Sequence, residues 1–203
     1  MFLVKNWFCN CSRKTKPNKK FKADKPVKPV CGLTHCYVDA RTGALVFNGE
    51  YMPRKIWSDL SSMQLGKYGE YYAKMEFTSY GFDVYTSEVD DHGVDFIAKS
   101  KNGTFYEVQV KSVRDDNYVF IKKSKIVLQS NRLICFIRFN DNELPDCYVF
   151  PATVFEKPDG SLFTSKDYEG LKSQPEYGIS VKKKENLEKM QKYRSEITLL
   201  ELR

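Results

Sequence analysis

Apolar and polar residues change rhythm several times along this chain. Between Ser61 and Phe77, the positions Met63, Leu65, Tyr68, Tyr72 and Met75 recur at helical spacing, which predicts an amphipathic helix. Ser61 or Ser62 is suited to cap its start and Gly81 to end it. The rhythm then shortens to that of strands. Phe82–Thr86, Val94–Ala98 and Phe105–Ser112 read as three strands, separated by turn signals at Asp90-Asp91-His92-Gly93 and Lys101-Asn102-Gly103. Asn117–Ile121, Leu133–Phe139 and Cys147–Pro151 read as further strands. Lys183–Arg194 is an amphipathic helix and Ile197–Leu202 a closing strand. Upstream, residues 37–49 carry the pattern of a hairpin turning near Arg41-Thr42-Gly43. The expected class is α/β or α+β.

Length and charge divide the chain in two. Its 203 residues are enough for one domain with an appendage, and that domain can bury a core without disulfides. The net charge is +7, but the first 64 residues hold 12 Lys and Arg against 4 Asp and Glu, so the remainder is nearly neutral. Residues 13–29 contain eight basic residues and three prolines with almost no apolar content, as in a flexible basic linker. The division expected is a basic, cysteine-containing, partly flexible extension over residues 1–60 and a folded domain over 61–203. A basic arm on a neutral domain suits a polyanion; a solubilising tail is the alternative. No apolar run approaches the roughly 18 residues of a membrane span, and the start is too polar for a secretion signal, so a cytoplasmic location without membrane contact is expected.

The candidate chemistry lies on the third predicted strand and its neighbour. Alternation puts Glu107, Gln109 and Lys111 on one face, with Val108 and Val110 turned to the core. Asp95 sits on the preceding strand, between Val94 and Phe96. Oxygen ligands beside a cation would suit a hard metal ion such as Mg2+ or Mn2+, which polarises a phosphoryl oxygen and lowers the pKa of a bound water. A lysine there would orient that water or neutralise developing charge.

The motifs Gly66-Lys67-Tyr68-Gly69-Glu70, Gly93-Val94-Asp95 and Glu107-Val108-Gln109-Val110-Lys111, in this order on helix, hairpin and strand, resemble the PD-(D/E)XK nuclease superfamily, which includes restriction enzymes and Holliday junction resolvases. The resemblance spans roughly residues 64–140. It implies a restriction endonuclease-like core, a mixed central sheet flanked by helices, and a metal-dependent endonuclease hydrolysing DNA. Under it, Asp95 is the central metal ligand, Gln109 the second, Lys111 the catalytic lysine and Glu70 the acidic residue contributed by the helix. Gln109 stands where the family usually has a carboxylate. Some branches, including certain homing endonucleases, look like they use Gln-x-Lys, but an uncharged ligand holds metal less strongly. The alternative is therefore an inactive nuclease-fold module that binds DNA or a protein partner. Glu107 would partly substitute, although it lies about 7 Å further along the strand. Since cutting two strands takes two sites, the resemblance also admits a homodimer.

Other clusters carry weaker signals. Lys19, Lys20 and Lys22 in the basic run, with Lys122, Lys123 and Lys125 after the fourth predicted strand of the domain, are candidate phosphate contacts or a solvated face. Cys9, Cys11, Cys31 and Cys36, with His35 as a substitute, would close a tetrahedral Zn2+ site. Neither pair has the usual spacing, so free thiols are the alternative. Cys135 and Cys147 fall in apolar strands and read as small core residues. Asp90, Asp91 and His92 read chiefly as turn residues.

Overall fold

The computed structural model describes the strands β1 (Cys36–Val38) and β2 (Leu45–Phe47), and residues 54–86 and 93–203. The chain divides into two units, Met1–Pro53 and Arg54–Arg203. In the first, β1 and β2 pair antiparallel, Cys36 opposite Phe47, as the hairpin pattern predicts; the tip at residues 41–43 lies outside the described residues.

The second unit begins before the expected boundary at residue 61. Trp57 is 3% exposed and packs on Tyr68 and Phe139, with ring centroids 5.0 and 5.1 Å away. Arg114 fastens this entry segment by donating from Nη2 to the carbonyls of Trp57 and Leu60. Helix α1 (Ser62–Ser79) follows, capped by Ser61 in a reciprocal box with Gln64. Its buried stripe is Leu65, Gly69, Ala73 and Phe77, whereas the expected Met63 and Met75 are 87% and 63% exposed. Small residues decide which face docks. A Cβ on Gly69 would fall 2.0 Å from the Ser112 Oγ and 3.3 Å from its Cβ, so any larger residue would force Ser112 to shift at this approach of helix to sheet.

The strands β3 (Asp83–Tyr85), β4 (Phe96–Lys99) and β5 (Phe105–Arg114) form an antiparallel meander. β6 (Tyr118–Lys122) and a 3-10 turn, Lys123–Lys125, lead to β7 (Arg132–Phe139), which runs parallel to β5. β8 (Asp146–Pro151) closes the sheet antiparallel, giving the mixed order β3-β4-β5-β7-β8. A central strand covered on both faces reads as a continuous apolar run, which explains Leu133-Ile134-Cys135-Phe136-Ile137. Cys135 and Cys147 are buried on adjacent strands, as expected, with Sγ atoms 3.5 Å apart.

Two cores flank this sheet. Phe77, Phe96, Val108, Val110 and Leu133 pack under α1. Ile134, Phe136, Phe150, Ile179 and Met190 fill the opposite side. That second side is covered by strands the sequence reading lacked: β9 (Phe163–Lys166) and β10 (Glu176–Ser180) join β6 in a three-stranded antiparallel sheet, order β6-β10-β9. Helix α2 (Lys184–Met190) occupies the first part of the segment expected to be helical. The expected closing strand at Ile197–Leu202 is instead helix α3 (Ser195–Leu202). Its buried positions Ser195, Thr198 and Leu199, with Leu202 against the core, follow helical spacing, while Ile197 and Leu200 face out. The result is a mixed α/β fold with a central sheet flanked by helices. No helix among the described residues is long and apolar enough to cross a membrane.

Candidate active site

Asp95 and Gln109 come together where β4 enters the sheet beside β5. Asp95 directly precedes β4 and behaves as its first rung: its N–H donates to the Val108 carbonyl at 2.9 Å, and its Oδ2 accepts from the Val110 N–H at 2.6 Å. The residue is thus tied to β5 on both sides of Gln109, by its backbone at Val108 and by its side chain at Val110. Upstream, Gly93 turns with φ +67°, a conformation that L side chains avoid. A Cβ there would lie 2.7 Å from Gln109 Nε2 and 3.0 Å from the Lys125 carbonyl, so the turn fits only as glycine.

Gln109 and Lys111 line a cavity of about 490 Å³ together with Gly93, Phe120, Lys122 and Lys125. Gln109 is 5% exposed, and its carbonyl Oε1 is buried with no hydrogen-bond partner among the described residues. A buried acceptor without a donor costs about 1–3 kcal/mol. An acceptor left open next to a fixed carboxylate suits a hard cation. Among the described residues there is no group of three or more His, Cys, Asp or Glu side chains that would hold a metal by themselves. Any Mg2+ or Mn2+ bound here would rely on Asp95, the neutral Gln109 oxygen, water and substrate, consistent with magnesium's habit of keeping several waters.

Glu107 is not available as expected. Its Oε2 accepts from Arg132 Nη1 at 2.7 Å. Arg132 is only 3% exposed, and its Nη2 also donates to the Gly93 carbonyl at 2.9 Å and toward the Lys125 carbonyl at 3.4 Å. One guanidinium therefore ties β5, β7, the Gly93 turn and the Lys125 turn together. Sequence reading missed this residue because it looks like a charge bounding an apolar strand.

Glu70 lies on α1, where Lys67 Nζ bonds its Oε2 at 2.6 Å. That hydrogen bond and the Glu70 charge raise the Lys67 pKa, with a smaller contribution from Asp95. The two carboxylates thus act on the same ammonium group. Lys122 and Lys125 line the cavity, whereas Lys123 pairs with Asp167 at 2.6 Å and sits over the Tyr177 ring. Cys9, Cys11, Cys31, His35, Lys19, Lys20, Lys22, Asp90, Asp91 and His92 lie outside the described residues, and Cys36 is placed only as the first residue of β1.

A second cavity, of about 460 Å³, is lined by residues that include Lys157, Asp159, Phe163, Lys189 and Tyr193. It contains none of the motif residues, and Lys189 is already paired with Asp159 at 2.9 Å.

No family model and no curated protein sequence matches the chain. Solved structures similar to it include two nucleases. The Holliday junction resolvase Hjc of the archaeal hyperthermophile Archaeoglobus fulgidus is 10% identical, covering 57% of this chain and 83% of its own, with a TM-score of 0.35. A bacterial homing endonuclease is 20% identical, covering 70% of this chain and 93% of its own, with a TM-score of 0.41.

Proposed function

We propose that the chain is a metal-dependent endonuclease that hydrolyses phosphodiester bonds in DNA. The observation that carries this is the convergence on one cavity wall of Gln109, with its open buried oxygen, and Lys111, beside an Asp95 held rigid by the β5 backbone. Asp95 and Gln109 would hold Mg2+ or Mn2+, with Glu70 contributing through water. When bound, the metal would polarise the phosphoryl oxygen and supply hydroxide near neutral pH. Lys111 would orient the attacking water and offset charge growing on the phosphate. Lys122 and Lys125 would hold flanking phosphates through salt-sensitive contacts. The basic N-terminal run, with Lys19, Lys20 and Lys22, would add affinity of the same kind.

One observation favours a second function. Gln109 brings no charge, and the described site lacks a third acidic ligand. This would suit a module that keeps the fold and holds DNA or a protein partner without cutting.

Manganese binding separates the two. Titration followed by the electron spin resonance of free Mn2+ should show one millimolar-or-tighter site in the wild type that Asp95→Ala removes. Gln109→Glu should tighten it by restoring a charge. Equal Mn2+ binding by wild type and Asp95→Ala would overturn the endonuclease and leave the binding module. Zinc analysis of the purified chain tests the cysteine cluster independently, and less than one equivalent would dismiss it.

A further inference from the structure

β6 is an edge strand of the small sheet, paired only with β10, and residues of this strand line the catalytic cavity. The register sorts the sheet into two faces. Val119, Ile121, Tyr177, Ile179 and Phe163 share one face; Ile121, Ile179 and Phe163 are buried in the second core, with Val119 and Tyr177 packed against it. Tyr118, Phe120, Lys122, Gly178, Glu176 and Lys166 share the other. On that face Phe120 is 47% exposed, a large apolar ring in water opposite a glycine.

Gly178 leaves room on this face for the Tyr118 ring. A Cβ there would strike the Tyr118 ring, 2.3 Å from its hydroxyl and 2.5 Å from its Cε2, so the Tyr118 ring lies across the strand in place of a side chain. Its hydroxyl donates to Glu176 Oε1 at 2.6 Å, and Tyr168 donates to the same oxygen at 2.8 Å. The one carboxylate on this face is thereby turned to two hydroxyls. Lys166 Nζ sits 5.1 Å over the Tyr118 ring, and Lys122 ends β6. The face therefore carries two rings bordered by two ammonium groups, and Tyr118, Phe120 and Lys122 also line the cavity that holds Gln109, Lys111 and Lys125.

An exposed ring beside cations matches a strand whose bases are unpaired, since each base presents a plane and each linkage an anion. A closed duplex offers its phosphates but not its base planes. We propose that this face binds unpaired nucleotides of the DNA substrate next to the scissile phosphate, with one base stacked on Phe120 and its neighbouring phosphates held by Lys122 and Lys166. This rests on the endonuclease function for the placement of the scissile phosphate, but the binding itself does not depend on cleavage.

Fluorescence anisotropy of the full chain in EDTA tests it, using labelled oligothymidylate and a blunt duplex of equal length. The wild type is expected to bind the single strand more tightly than the duplex. Phe120→Leu keeps an apolar side chain but removes the ring, and should weaken single-strand binding by about 5- to 150-fold while leaving duplex binding within about twofold. Phe120→Trp should bind the single strand at least as well as wild type, which excludes damage to the fold as the cause. Single-strand affinity unchanged in Phe120→Leu, or a wild type that binds the oligothymidylate no better than duplex, would overturn the proposal. A wild type that cuts no DNA while Phe120→Leu still loses single-strand binding would overturn the endonuclease and leave this surface standing.

Discussion

Arg132→Met removes the guanidinium that joins four segments around the site while keeping most of the buried stem. The Gly93 bond, at 2.9 Å to a carbonyl from a charged donor, is worth about 1.5–3 kcal/mol. The Lys125 contact, at 3.4 Å, is too long to add much. The Glu107 pair adds up to about 1 kcal/mol, because the Glu107 side chain is 50% exposed and regains water when its partner leaves. The loss expected is therefore about 1.5–4 kcal/mol. With a urea slope of about 2 kcal/mol per molar, the unfolding midpoint should fall by about 0.75–2 M. Glu107→Gln isolates the ion pair and should shift the midpoint by less than about 0.5 M. Since Arg132 also fixes the Gly93 and Lys125 carbonyls, the Met variant should bind Mn2+ more weakly even where it remains folded. A midpoint within about 0.3 M of wild type, or a Glu107→Gln shift as large as that of Arg132→Met, would refute the assignment of its strength to the Gly93 bond.

Two further perturbations follow from the same geometry. Gly93→Ala meets both an unfavourable φ of +67° and contacts of 2.7 and 3.0 Å to Gln109 and Lys125; it should cost about 1–3 kcal/mol in a urea melt and reduce cleavage at least about tenfold, and wild-type activity in this variant would count against the tight turn. Asp141 accepts from the Ser58 hydroxyl, the Ser58 N–H and the Trp57 N–H, and these bonds hold its pKa below the ordinary aspartate range. A depressed carboxylate stabilises the fold fully above that range and loses its contribution as pH falls through it. Asp141→Asn should thus lower the melting temperature at pH 7 more than at pH 3, and an equal loss at both would contradict the role of the charge.

The sequence made the meander and its motif visible because β5 alternates in two environments. Val108 and Val110 are valines because α1 covers them, and Gln109 and Lys111 are polar because the cavity opens on the other side. The cover on that other side was not legible. β9 has a single apolar residue, Phe163, and β10 carries Gly178 at its centre, so neither reads as an alternating strand. Their absence left Lys122 as either a phosphate contact or part of a solvated face, and Phe120 without significance. The docking face of α1 was misjudged because pattern reading weighs large apolar residues, whereas Gly69 and Ala73 set the approach and leave Met63 and Met75 in water. At α3, Ile197, Leu199 and Leu200 give strand and helix spacing equal support over so short a stretch, and the packing of Leu199 and Leu202 on the core decides for helix. Arg132 was illegible for a different reason: its value lies in the carbonyls of Gly93 and Lys125, which only the fold brings to it.

The most direct measurement is a cleavage assay of the full chain on supercoiled plasmid, linear duplex, branched and single-stranded DNA with Mg2+ or Mn2+, run beside Asp95→Ala and Lys111→Ala. Metal-dependent cleavage of at least one substrate by the wild type is expected, stopped by EDTA and reduced at least about 100-fold by either substitution. Cleavage that survives both substitutions, or none by the wild type on any of the four substrates, would contradict an endonuclease centred on Asp95, Gln109 and Lys111.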